Sequence, residues 1–248
     1  MTTEYSGSGD LHRSLELLWR RGERPTRGPK PGLTLDKIII AAIEVADAEG
    51  LEALSMRKVA AKLGVGTMSL YRYVPGKSEL LDLMLDHVVK IPGELSAEGS
   101  QHWRAFLEAD ARGHWQLCLD HQWYPFVDQT RPLLGPNGLR GVEYAVGQLS
   151  ATGLSDQELI MLISVVSNFV EATARTYISE LQAEKRTGVS NDEFWAAQEP
   201  VLVEAMNSGE FPTMAQLSED TFWFTHEQVF EFGLQRLLDG FEAFIESR

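Results

Sequence analysis

Apolar residues along the chain recur at three- and four-residue intervals, and sustained two-residue alternation is absent, so the pattern predicts an all-α fold. Residues 11–21 carry a short helical pattern. After Thr34 as N-cap, with Leu33 and Ile38 placed as a hydrophobic staple, Ile39, Ala42, Ile43 and Ala46 fall at i, i+3, i+4 and i+7, and the helix stops at Gly50. Ser55 caps a two-turn helix with Val59, Ala60 and Leu63, which ends at Gly64. Thr67 to Tyr73 form a second short helix that Pro75-Gly76 terminates, and Lys77 to Val89 form an amphipathic helix with Leu80, Leu81, Met84, Leu85 and Val88 toward a core. Farther on, helices are expected over 101–123, 156–186 and from about His226 to Glu246, while 187–221 read as shorter helices and loops covering a pocket. The longest apolar stretch, Leu159 to Val166, is interrupted by Ser164 and falls short of the roughly 20 residues needed to cross a bilayer.

Charge divides the chain more sharply than hydropathy does. The formal charge is −14, yet residues 1–90 hold 13 Lys/Arg against 12 Asp/Glu, and residues 91–248 hold 9 against 24. Within 11–77 the balance is 12 against 7, so an N-terminal piece suited to phosphates precedes an acidic remainder. Three regions are expected: a short helix and basic linker over 1–32, a reading domain over 33–90 and a helical domain over 91–248. The N-terminus lacks the basic and apolar regions of a signal peptide and there is one cysteine, Cys118, so a cytoplasmic protein without an internal disulfide is expected.

Two short helices joined by Gly64-Val65-Gly66 have helix-turn-helix geometry, in which the second helix can enter the DNA major groove. A glycine turn between helices is also common in bundles that bind no DNA. The surrounding residues are more specific: Leu54-Ser55-Met56-Arg57-Lys58-Val59-Ala60-Ala61-Lys62-Leu63 before the turn, and Thr67-Met68-Ser69-Leu70-Tyr71-Arg72-Tyr73-Val74-Pro75-Gly76-Lys77 after it, closely resemble the DNA-binding region of TetR-type transcriptional repressors. The resemblance runs from about Leu33 to Val89; beyond that, the chain is similar to the family's variable ligand domain only in length and pattern. It implies a homodimer that binds a near-palindromic operator and is released by a small effector, with no cofactor and no catalysis.

Carried over by position, the resemblance assigns Arg57 to a base or phosphate, Thr67, Met68 and Ser69 to base reading, Tyr71 and Tyr73 to the DNA backbone, and Lys77 to a phosphate at a helix N-terminus. Arg72 occupies a variable recognition-helix position from which its fork can make a bidentate contact to guanine. Tyr71 has a second reading as a core ring; Leu70 and Val74 read as core, and Lys58 and Lys62 as a solvated face. The linker's Arg20, Arg21, Arg24, Arg27 and Lys30 fit either a DNA-following arm or a solvated tail.

In the acidic half, a helix over 101–123 places Trp103, Phe106, Leu107, Leu117 and Cys118 on one face, with Arg104, Glu108 and Arg112 opposite. Asp110, His114 and His121 also fall on the apolar side, with Cys118 at their edge. Buried polar groups need partners, so this set reads as an effector-pocket wall among Trp103, Phe106, Trp115 and Trp123, as hydrogen-bonded core, or as metal ligands. Three turns is a long reach for one ion, and no metal is expected. On the next long helix, Ser164, Asn168, Glu171 and Arg175 form a polar stripe that lines the pocket or a subunit interface, with Glu171 and Arg175 able to pair. The last helix carries a seam of Phe230, Leu234, Leu237, Phe241 and Phe244, with Gly233 and Gly240 forming a smooth ridge. By resemblance, these two helices form a four-helix dimer interface; an intrachain core is the other reading. A rival enzyme reading built on Asp110, His114, Cys118 and His121 finds no phosphate loop, no His-Glu-x-x-His and no Cys-x-x-Cys pair. A regulator that activates, or that answers to a protein partner, is a third reading.

Overall fold

A computed structural model describes residues 4–19, 32–90, 103–218 and 220–248. The linker arginines and Lys30 lie outside the described residues. The described elements are helices, with one isolated bridge pairing Tyr5 and Asp128. In order they are α1 (Leu11–Leu18), α2 (Leu35–Glu49), α3 (Met56–Lys62), α4 (Thr67–Leu70), α5 (Lys77–Val88), α6 (Trp103–Asp120), α7 (Pro136–Leu149), α8 (Asp156–Thr187), α9 (Asn191–Asn207) and α10 (His226–Glu246).

The local signals act as expected in the reading region. Thr34 Oγ1 accepts from the Lys37 N–H and Ser55 Oγ from the Lys58 N–H, so α2 and α3 each start on a side-chain cap. At the end of α3, Gly64 takes φ +66°, the Val65 N–H donates to Ala60 O and the Gly64 N–H to Ala61 O; this Schellman closure sends the chain sharply into α4. The α-helical part of the recognition segment is shorter than expected, ending at Leu70 and continuing as a turn to Tyr73. Ile38, Ala42, Val59, Leu70, Val74, Leu80, Leu81 and Met84 are sealed from solvent and fix α3 and α4 against α2 and α5.

In the acidic half, α6 packs along α8, and α10 packs across both. Buried residues of α6 are Leu107, Ala111, Trp115 and Cys118, so the seam is displaced from the expected one, and Trp103, Phe106 and Leu117 are only partly buried. Trp115 is core rather than pocket wall: its ring stacks on Phe230 at 4.6 Å and Tyr177 at 5.9 Å. On α10 the buried residues are Phe230, Leu234 and Leu238, in place of Leu237, and Phe244 is exposed. Gly233 admits the ring of Phe169 from α8 of the same chain so closely that a Cβ there would overlap it, whereas Gly240 faces open space. Arg104 joins Asp239 (2.6 Å) and Glu242 (2.9 Å), and Arg112 grips Glu231 with two nitrogens at 2.9 Å, tying α6 to α10.

Over its length α8 is more apolar than its longest unbroken run: an 18-residue window within it averages a hydropathy of 1.3, a value that the core helix of a globular protein also reaches. Its buried side, Leu159, Leu162, Val166, Val170, Ala174 and Ile178, packs inside the protein, while Ile160, Met161 and Val165 stay exposed on this protomer. Residues 187–221, expected as shorter helices and loops covering a pocket, hold one longer helix among the described residues. They contain the 17-residue α9, started by a Ser190/Glu193 capping box, and α9 buries none of its residues.

Candidate DNA interface and effector site

The sealed positions Leu70 and Val74 turn the remaining residues of the recognition segment outward. Met68 is 76% exposed and Tyr71 45%, which removes the core reading of Tyr71; Arg57 and Arg72 are exposed, and Thr67 and Ser69 are half-buried beside them. Charges here fall into two groups. Lys58 pairs with Glu49 (2.5 Å), Lys62 with Glu44 (2.8 Å) and Lys77 with Glu4 (2.7 Å). Arg57 and Arg72 have no hydrogen bond or ion pair among the described residues. Tyr73 donates its hydroxyl to Leu33 O at 3.0 Å, bracing the start of α2, and Lys77 also donates to Leu51 O.

The helix that follows holds the feature sequence reading missed. Glu79, Asp82 and Asp86 on α5 occupy what reads as its polar side, yet all three are buried. Each is met by donors from another element. Glu79 Oε1 accepts from the Asp10 N–H (2.9 Å); Asp82 accepts from the Gly7 N–H (2.8 Å), Ser6 Oγ (3.3 Å) and Ser14 Oγ (2.7 Å). Asp86 Oδ1 accepts from the N–H groups of Asn137 and Gly138, both at 3.0 Å, and so caps the N-terminus of α7 from outside. Donor-rich surroundings are what permit a buried carboxylate. Their signal in the sequence is faint: glycines at 9 and 135 leave room that a Cβ would take from the Glu79 and Asp86 carboxylates.

The expected effector constellation is brought together only in part. His114 Nε2 lies 3.4 Å from Glu171 Oε1, joining α6 to α8, but that nitrogen is buried and makes no hydrogen bond. Asp110, one turn earlier, is exposed and has no hydrogen-bond partner among the described residues; desolvation by the surrounding side chains raises its carboxyl pKa, with His114 pulling the other way. Tyr124 completes this corner edge-on to His114 with ring centroids 6.0 Å apart, and burial followed by the Glu171 charge pushes its phenol pKa up. Cys118 is core: burial, reinforced by Glu171, moves its thiol up to about 12, so it stays protonated.

Four expected members stand apart. His121 lies one residue past the end of α6, its N–H still donating to Leu117 O (2.9 Å), but its ring meets α2 and not α8. Its Nδ1 is 2.9 Å from Asp47 Oδ1 of α2, an oxygen that Trp123 Nε1 also meets at 2.7 Å. Trp103 is a partly buried packing residue at the start of α6. Asn168 and Arg175 are exposed on α8, and Glu171 faces His114 instead of pairing with Arg175. No group of three metal-ligating side chains forms among the described residues.

Comparison with known proteins agrees with this architecture. Residues 38–84 match the family of bacterial regulatory proteins called the tetR family, and residues 95–245 match the tetracyclin repressor-like C-terminal domain. The chain is 53% identical to the HTH-type transcriptional repressor DrrR1 of Streptomyces coeruleorubidus, an alignment covering 100% of this chain and 91% of that protein. Its fold is similar to that of apo ActR from Streptomyces coelicolor, with a TM-score of 0.70 and 28% identity over 88% of this chain and 99% of the other. The same protein in complex with actinorhodin matches equally, with a TM-score of 0.70 and 28% identity over 87% and 97% of the two chains. Helix-turn-helix geometry, an all-helical acidic half and matches along both parts therefore converge: this chain belongs to the TetR family of transcriptional regulators.

Proposed function

We propose that the protein is a homodimeric repressor that acts in the cytoplasm, reads a near-palindromic operator through residues 33–90 and releases it when a small molecule binds within residues 91–248. It works by binding alone, without catalysis. The observation that carries this reading is the division of cationic groups: Lys58, Lys62 and Lys77 are satisfied by carboxylates, while the exposed Arg57 and Arg72 have no partner among the described residues and lie on α3 and just after α4, on either side in sequence of the Thr67-Met68-Ser69 segment with its exposed Met68. Two unpaired guanidinium groups there suit DNA, with Arg72 reading guanine, Arg57, Tyr71 and Tyr73 placed along the backbone, and Lys77 joining them when a phosphate replaces Glu4.

For the effector, Asp110, His114 and Glu171 supply the polar side and Tyr124 an aromatic wall. Among the described residues Asp110 has no donor and Glu171 has only the His114 ring at 3.4 Å, so an aromatic molecule carrying hydroxyl or amine donors fits. The dimer covers the exposed apolar surface of α8, including Ile160, Met161 and Val165, and that of α9. Selection of bound duplexes from a random DNA pool tests the reading. The expected result is a palindromic motif whose preference relaxes at one position per half-site in Arg72→Ala, a loss of roughly 1–3 kcal/mol of discrimination. Failure to enrich any motif at moderate salt, with ligand-free refolded dimer, removes it.

A further inference from the structure

Residues 4–18 are joined to three other parts of the molecule. The Ser6 N–H donates to Asp128 O (3.0 Å) and the Asp128 N–H to Glu4 O (2.9 Å), attaching the segment to the turn after α6. The Leu133 N–H donates to Ser6 Oγ at 3.2 Å. Asp82 and Glu79 anchor it to α5 through Gly7, Ser14 and Asp10. At its tip, Glu4 holds Lys77 Nζ at 2.7 Å, and both side chains are 29% exposed. This is more than a surface ion pair, because Glu4 O and the Ser6 N–H are both tied to Asp128 and the carboxylate is delivered in a set place.

We propose that residues 4–18 form an autoinhibitory clip: docked on α5 by Asp82 and Glu79, it places the Glu4 carboxylate on Lys77, and operator binding requires a DNA phosphate to take that position from Glu4. The clip rests on the proposed role of Lys77 as a phosphate contact. With one donor of the Lys77 ammonium on Glu4 and another on Leu51 O, a phosphate brought to the same ammonium is repelled by the Glu4 carboxylate, so the two anions compete for it. The clip also touches the Asp128–Leu133 turn, so a shift in the effector half reaches the same competition.

The experiment measures affinity of the full-length protein for its selected duplex at fixed salt, in wild type, Glu4→Gln, Lys77→Gln, the double variant and Gly9→Ala. A Cβ at Gly9 would overlap the Glu79 carboxylate, so Gly9→Ala drives that carboxylate off the Asp10 N–H and loosens the clip without altering any charge. Glu4→Gln is expected to tighten binding roughly three- to tenfold, in keeping with one partly screened ion pair. Gly9→Ala should tighten it in the same direction, and Glu4→Gln should have no effect once Lys77 is Gln. The proposal is overturned if Glu4→Gln and Gly9→Ala leave affinity unchanged while Lys77→Gln weakens it; the operator-reading assignment then stands. Tightening by Glu4→Gln alone, or equally in the Lys77→Gln background, also overturns it, since that is a general charge effect. If Lys77→Gln itself costs nothing, the phosphate assignment of Lys77 and the clip fall together.

Discussion

Helices α5 and α9 show that burial follows surroundings and not side-chain polarity. In α5, eight of twelve residues are buried, including Glu79, Asp82 and Asp86, because α1, α7 and the N-terminal segment aim N–H and O–H groups at them. In α9, none of seventeen residues is buried; Phe194 is 53% exposed, Trp195 56% and Val201 68%. The protomer completes the environment of the first helix and leaves the second without one, which the proposed dimer supplies.

Truncating the fully buried Met84 to Ala should break the α5 side of this contrast most severely, lowering unfolding stability by about 2–5 kcal/mol. Val201→Ala on α9 should change protomer stability by less than about 0.5 kcal/mol. Urea unfolding at a protein concentration low enough to dissociate the dimer reads both; similar losses would mean that α9 is packed within its own protomer. Next in size is Ser14→Ala, which withdraws the hydroxyl that donates to Asp82 at 2.7 Å. A hydrogen bond to a charged acceptor contributes about 1.5–3 kcal/mol, so a loss in that range is expected from the same unfolding curves. A negligible loss would show that the Gly7 N–H and Ser6 alone satisfy the carboxylate.

For α9 the matching change is Trp195→Ser, which leaves nothing unsatisfied within the protomer. Its expected effect is on association: a dimer dissociation constant raised by about tenfold or more, since exposed aromatic residues at interfaces dominate their energetics. Sedimentation across a dilution series measures it, with far-UV circular dichroism unchanged. An unaltered dissociation constant would assign the exposed α9 surface to some other contact.

How much of this was legible in the sequence follows the same division. Caps, glycine stops and three- to four-residue spacing are local, so Thr34, Ser55, Gly64 and the positions of α2 to α5 could be read directly, as could the family resemblance around the glycine turn. Residues whose fate depends on distant chain were misread. Asp82 looks like a solvated face until Gly7 and Ser14 arrive from 68 or more positions away. His121 is drawn from the His114 group by Asp47, 74 positions away on α2. Trp115 was displaced from its expected role because two partner helices, not one, flank it, α8 through Tyr177 and α10 through Phe230.

The smallest expected effect concerns His87, near the C-terminal end of α5, the helix that packs against α7. Burial is the main influence and lowers its pKa; Asp36 and Asp86 pull the other way, and Lys90 and His121 add to the lowering. The folded-state value thus lies below the unfolded value of about 6.5. As pH falls through 6.5 the unfolded chain binds this proton first, so stability present above that pH declines until the lower folded-state pKa is passed, and then levels off. His87→Gln should remove this part of the pH dependence. Urea midpoints at pH 7.5 and 5.5 should lie closer together in the variant than in the wild type, by less than the midpoint shift caused by Ser14→Ala. An equal or wider gap would mean that the buried α5 environment tolerates a charged imidazole as readily as it does the donor-surrounded carboxylates of Asp82 and Asp86.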